Sequence, residues 1–327
     1  GKGLAALIRE RFGVRWTLLA LATLLVANLA VATSEFAGIA ASLNLFGLSK
    51  YVTLPIIALL VWLVLYKGSF KKIERFFLVI SSFFLVYIIA AVLAKPDWGE
   101  VGSSLWQVNF SLDPIYFIAF LGLIGTTVTP WGQFFIQSYV VDKGIHPRHY
   151  KFTRLEVYFS ALATCLIAAA IIITTTLLFK QGILIDAADK AALALQPLLG
   201  RFAEIIFAFG FLNASLLGAF ILPLTTSYSI CDAFGWEQGM NTTWKQAPQF
   251  YGLMAVCIFL PAFYVLLPHL SLFRVMILAQ VVNGMLLPVI LIFLVLLLRE
   301  RTKLGLPKGG RVSNFIYSLI TWETILR

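Results

Sequence analysis

Charge is what this sequence has least of. Only 12% of its 327 residues are Asp, Glu, Lys or Arg, while 60% are hydrophobic and the mean hydropathy is +0.92. A soluble domain carries about twice that charged share, so a water-soluble fold is excluded and an integral membrane protein remains. Histidine and cysteine are equally scarce, three of each. His146, His149 and His269 fall in connecting loops, so no imidazole titrates at membrane depth. Cys165, Cys231 and Cys257 lie in or at the ends of apolar segments and read as small buried residues, which leaves neither a disulfide frame nor a Cys/His metal site. No nucleophile and base pair up at membrane depth, which argues against an enzyme. No secretory signal is recognisable and Gly1 is not an initiating Met, so the chain is expected to begin inside a longer protein.

What is present is a succession of apolar windows of roughly 20 residues, each able to cross a hydrocarbon layer of about 30 Å as a helix. They lack the short polar and apolar alternation of a membrane barrel. The spans are read at 16–46, 51–67, 73–94, 114–142, 152–179, 202–231, 249–267 and 272–298, with a partial one from about 312. Basic residues then segregate. One set of loops holds eighteen Lys and Arg, among them Arg9, Arg11, Lys71, Lys72, Arg148, Lys245 and Arg301, against six on the other side: Lys50, Lys95, Lys180, Lys190, Arg201 and Arg274. The richer side is expected to face the cytoplasm, in a plasma or bacterial inner membrane. The net charge of +10 is thereby a topological bias and not a nucleic-acid footprint. On the sparse side, AADKAALALQPLLG within 180–201 reads as a short helix on the external face.

The segment from Pro114 is the unusual one. Asp113 can cap it, Pro114 takes the first helical position and apolar residues run to Ile124, after which GTTVTPWGQ interrupts the pattern. Pro130 lacks an N–H and clashes with the Thr126 carbonyl, and Gly125 and Gly132 flank the weak point. Two readings compete: a kink whose threonine hydroxyls bond back to the preceding turn, or an unwound stretch that turns carbonyls and helix ends toward a substrate at mid-membrane. The cluster of Thr126, Thr127, Thr129 and Gln133 favours the second.

GLIGTTVTPWGQFFIQSYVVDKG resembles the sixth-helix signature of the natural resistance-associated macrophage protein (NRAMP) metal transporters, whose usual form is G-A-T-V-M-P-H-N-L-Y-L-H-S. GKGLAALIRERFGVRW is similar to the family's basic loop between its second and third helices, SEFAGIAASLNLFG to its third helix, DAADKAALALQPLLG to its external loop and AQVVNGMLLP to its tenth helix. The resemblance implies an all-α membrane protein, a leucine-transporter-like inverted-repeat bundle. Residues 1–327 would form one transporter domain, with 1–95 the remainder of the first repeat, 113–298 the second, and 311–327 the start of an additional helix. The first two helices of the fold, with the acidic and amide ligands the family carries on the first, would precede Gly1.

The departures shape the expected chemistry. The resemblance sets Thr129 where the family has Met, Trp131 where it has His, Thr126 where it has Ala, and Gly132 and Gln133 after them. Hydroxyl and carbonyl oxygens suit Mg²⁺, and thioether suits later transition metals, so the pattern is closest to the NRAMP-related magnesium transporters. The expected metal-site residues are Thr126, Thr129, Trp131, Gly132, Gln133 and, from the tenth helix, Gln280, with Asn283 on the same face as Gln280 or acting as interhelical glue. Glu35 matches one acidic position of the family's third helix, but Gly38 occupies the other; a structural role and a residual permeation role stay open. Asn213 and Ser215 read as packing residues, Arg154 and Glu156 as interfacial. The expected function is movement of Mg²⁺, and Mn²⁺, into the cytoplasm by alternating access without proton coupling, by a monomer in a lipid bilayer with no resident cofactor. The alternatives are a proton-coupled Mn²⁺/Fe²⁺ symporter and a non-transporting membrane scaffold or receptor.

Overall fold

The computed structural model describes residues 3–67, 79, 81, 84–107, 110–142, 149–196, 200–240 and 242–299. Most of the span read at 73–94, several basic loop residues and the partial span from 312 lie outside them. Among the described residues there is no strand. Twelve α-helices are traced: α1 Leu4–Phe12, α2 Val14–Leu45, α3 Lys50–Lys67, α4 Leu85–Leu93, α5 Trp98–Ser104, α6 Pro114–Thr127, α7 Pro130–Asp142, α8 Tyr150–Lys180, α9 Ala188–Ala192, α10 Ala203–Phe234, α11 Pro248–Leu266 and α12 Leu272–Arg299. Among the described residues seven segments are long and apolar enough to cross a membrane: α2, α3, α6 with the start of α7, α8, α10, α11 and α12. Their bounds agree with the sequence reading to within a few residues. The short helix read within 180–201 is present as α9, extended by a 3₁₀ turn at Leu193–Leu195.

One expectation fails at the start of the chain. Residues read as a basic loop wind into α1, because Leu4, Ala5 and Ile8 find a buried seat. The Asp232 carboxylate accepts from Ala6 N–H at 3.3 Å, and Arg9 donates to the Ala233 carbonyl while its guanidinium lies 5.9 Å from the centre of the Phe234 ring. A negative group thus meets the first turn of α1 and a cation meets the last turn of α10, each matching the helix-end charge it faces. Gly13, at φ 79°, makes the corner into α2, a conformation that costs a residue with a Cβ.

The centre of the bundle is the antiparallel pair α2 and α10. Small residues let their backbones close: Gly38 sits under Ser215, and Gly218 sits under the Glu35 side chain. Further along the same seam, Asn28 donates to Thr226 Oγ1 at 2.7 Å, both residues being buried. On the far side of α2 and α10, α3 and α11 complete a core that includes Phe36, Leu54, Phe250 and Tyr251. The Tyr251 hydroxyl, which would be costly unpaired there, donates to the Thr242 carbonyl at 2.7 Å.

α12 lies against α2 on one side and α6 on another. The α6 contact is made by glycine on both helices. A Cβ at Gly125 would collide with the Gln280 carbonyl and come within 2.7 Å of Gly284 N, and one at Gly284 would collide with the Leu121 carbonyl. Gly125→Ala should therefore cost about 1–3 kcal/mol of stability, as overpacking does, whereas at Gly122 the nearest atom to a new Cβ is Val281 Cγ2 at 3.7 Å and Gly122→Ala should stay within about 0.5 kcal/mol. Thermal unfolding of the two variants in detergent measures the difference.

Candidate metal-passage site

α6 begins as the sequence implies: Asp113 Oδ1 accepts from Ile115 N–H at 2.9 Å and Pro114 fills the first turn. It ends at Thr127. Val128 is extended, with φ −124° and ψ 102°, and α7 starts afresh at Pro130. The cause is local: the Pro130 ring has no room beside a helical carbonyl at Thr126, and it pushes Thr129 toward extended geometry.

A break of this kind frees backbone carbonyls, and the structure shows where one of them is satisfied. Asn283 of α12, fully buried, donates from Nδ2 to the Gly125 carbonyl at 2.6 Å. Thr126 and Thr127 both turn their hydroxyls back onto the Leu123 carbonyl, at 2.9 and 2.7 Å. Their donors are thereby spent on the helix, as the kink reading expects, while a hydroxyl oxygen that donates can still accept or coordinate. Thr129 is half-buried just ahead of α7, with Oγ1 3.1 Å from where Gly132 would carry a Cβ. Gln133 is half-buried one turn further on. Gln280 lies across from the break, its backbone against Gly125 and its Oε1 buried with no hydrogen-bond partner, as is Asn283 Oδ1. A buried acceptor left unmatched costs free energy unless something with a positive charge or an N–H or O–H reaches it.

The expected residues divide in two. Gln280 and the break at Thr126–Thr129 are brought together through Gly125. Trp131 packs against Val31, Ala32 and Leu222 of α2 and α10, and with Phe134, which is buried, it anchors α7 to the bundle. α7 touches α1, α2, α10 and α12, whereas α6 leans chiefly on α12. Glu35 is half-buried over Gly218, with no hydrogen-bond partner among the described residues. Asn213 and Ser215 are packing residues, Asn213 donating weakly to Ser81 Oγ at 3.4 Å and Ser215 abutting Gly38. Arg154 donates to the Tyr158 hydroxyl at 3.2 Å. Among the described residues no three His, Cys, Asp or Glu side chains converge closely enough to hold a metal ion. Among the described residues, the break offers a dication neutral oxygens.

Sequence reasoning missed a second feature. At the end of α2 remote from the basic loops, a recess of about 480 Å³ is lined by Asn44, Asp186, Asp189 and Glu204. Lys190, hydrogen-bonded to Asp186, holds that carboxyl below its usual range, so it is ionised at neutral pH. The four residues come from three separate stretches of chain, and only the fold gathers them.

A family model described as natural resistance-associated macrophage protein-like matches residues 1–326. The chain belongs to this family. Its members are transporters and not enzymes. Similar proteins include three bacterial relatives named divalent metal cation transporter MntH. That of Clostridium acetobutylicum is 24% identical over 252 residues, covering 74% of this chain and 55% of the relative. That of Pectobacterium carotovorum is 25% identical over 98% of this chain and 77% of the relative, and that of Caldanaerobacter subterraneus 28% identical over 38% and 31%. The chain thus spans about half the length of the first of these relatives. Family membership agrees with the multi-pass helical fold.

The Asn283 bridge predicts a stability effect. Asn283→Leu keeps the branched shape and the number of side-chain heavy atoms but strands the Gly125 carbonyl, and should cost about 1–3 kcal/mol; Asn283→Gln, which retains the amide, should recover part of it in the same unfolding assay.

Proposed function

We propose that the protein moves divalent metal cations across the membrane by alternating access, with the broken helix α6/α7 and Gln280 forming one wall of the passage, within an inverted-repeat bundle. The observation that carries this reading is the interruption at Val128–Thr129, packed through Gly125 against the backbone of Gln280, whose side-chain Oε1 is buried without a hydrogen-bond partner among the described residues. Oxygen donors at a helix break are what a cation needs when it sheds part of its hydration shell. The acidic recess supports the same reading, because carboxylates in a concave surface raise the local concentration of dications.

On the ion itself, two readings remain and each has support. Thr129 and Trp131, set where thioether and imidazole would serve a later transition metal and a proton, favour Mg²⁺, with Mn²⁺ also carried and no proton coupling. An inside-negative potential of 100 mV contributes about 2.3 kcal/mol per charge and so twice that for a dication, enough to drive uptake unaided. The MntH names of the relatives weigh toward the other reading, a Mn²⁺/Fe²⁺ symporter of the family's usual kind, and Glu35 would be its remaining membrane carboxylate.

Flux measurements on the full-length protein in proteoliposomes separate them. The hard-ion reading expects Mg²⁺ uptake with no acidification of the lumen, and Thr129→Met to shift preference toward Mn²⁺ by about tenfold, about 1.4 kcal/mol. Uptake of Mn²⁺ without Mg²⁺, accompanied by lumenal acidification, would establish the symporter instead. Unchanged flux of every ion in Thr129→Ala and Gln133→Ala would remove the break from the passage.

A further inference from the structure

α1 sits where a route from the break to the side of the basic loops would run. One turn past the break, the buried Phe134 of α7 shares an apolar cluster with Leu24 of α2, Ile230 of α10, Phe293 of α12 and, from α1, Leu4 and Ile8. Trp131, the second residue of α7, packs against the same cluster. Four helices thus converge on one helix of nine residues, whose buried face closes the seam between α7 on one side and α2 and α10 on the other. A hydrated cation cannot cross a seam filled by Leu, Ile and Phe side chains, because its water shell finds no polar partner there.

The attachment of α1 is a second, independent feature. Both of its ends are fastened to three consecutive residues at the end of α10. The Asp232 carboxylate accepts from the N–H groups of Ala6, at 3.3 Å, and of Gly3. Arg9 donates to the Ala233 carbonyl, and its guanidinium lies 5.9 Å from the centre of the Phe234 ring. Arg9, Glu10 and Arg11 are exposed, so these polar contacts stand at an edge where water can replace them. Just beyond lies Gly13, at φ 79°, where an added Cβ would meet no atom within 4 Å. A short helix held at one place by exchangeable contacts, with an unobstructed glycine corner at its end, can lift as a unit while the long helices keep their packing.

We propose that α1 is a latch that closes the passage toward the basic loops. Seated on Asp232, Ala233 and Phe234 it seals the seam between α7 and the α2/α10 pair, and metal crosses on that side only after α1 swings away about Gly13. The structure is then the state shut on the side of the basic loops. This inference rests on the transport reading above and adds the element that closes one end of the passage.

Cross-linking of the full-length protein in proteoliposomes, in a background lacking Cys165, Cys231 and Cys257, tests it. In the double variant Arg9→Cys with Phe234→Cys, a short bis-maleimide should stop Mn²⁺ flux, while N-ethylmaleimide on the same pair should leave flux in place. Flux that continues after cross-linking would overturn the latch, because a static α1 can be tied down without effect. A second readout needs no transport. Ala5→Cys, on the buried face of α1, should react with a polar maleimide at a measurable rate, and adding Asp232→Asn should raise that rate about tenfold. No reaction in either variant, in protein that still unfolds cooperatively, would also overturn the latch. Since this rate is read without flux, a protein that carries no ion counts against the transport reading while the rate still decides on the latch.

Discussion

The structure turns on how a membrane protein handles the carbonyls released when a helix stops inside the bilayer. Lipid offers no donor, so the break between α6 and α7 exists only because α12 comes close enough to supply one. Gly125 and Gly284 permit the approach by having no side chains, and Asn283 then reaches the Gly125 carbonyl. Neither feature works alone: without the glycines the amide would stand too far away, and without the amide the glycines would bring together two helices with an orphaned acceptor between them. The same contact lays the Gln280 backbone on Gly125.

The two halves of the interrupted helix are held differently. α7 is pinned by Trp131 and Phe134 in apolar contacts with α2 and α10, and α1 closes over the same end of the bundle through Asp232 and Arg9. Among the described residues α6 has one principal neighbour and a largely exposed surface. The extended Val128 and the residue after it join a half held on several sides to a half held chiefly by α12. Trp131 contributes packing that holds α7 to α2 and α10.

Much of this was legible in residue types. Scarce charge and basic asymmetry marked the spans because both follow from lipid and from insertion, not from tertiary detail. Pro130 between two glycines marked the break because its steric conflict is local. Other elements could not be read so. α1 carries Arg9, Glu10 and Arg11 in nine residues and looks like a loop until Asp232 and the core beneath Leu4 and Ile8 are in place. The spacing of Gln280 and Asn283 put them on one face but could not say which would be spent on a neighbour's backbone and which left open. The acidic recess draws on three separate stretches and has no local signature at all.

The central claim is that the break faces water and cations and not acyl chains. It is tested most directly by placing a single cysteine at Thr129 in a full-length background lacking Cys165, Cys231 and Cys257, and measuring its modification by a charged, membrane-impermeant thiol reagent in proteoliposomes. The account predicts reaction at a measurable rate that slows as Mg²⁺ or Mn²⁺ is raised. No reaction from either side of the membrane, or a rate indifferent to every divalent ion, would contradict it.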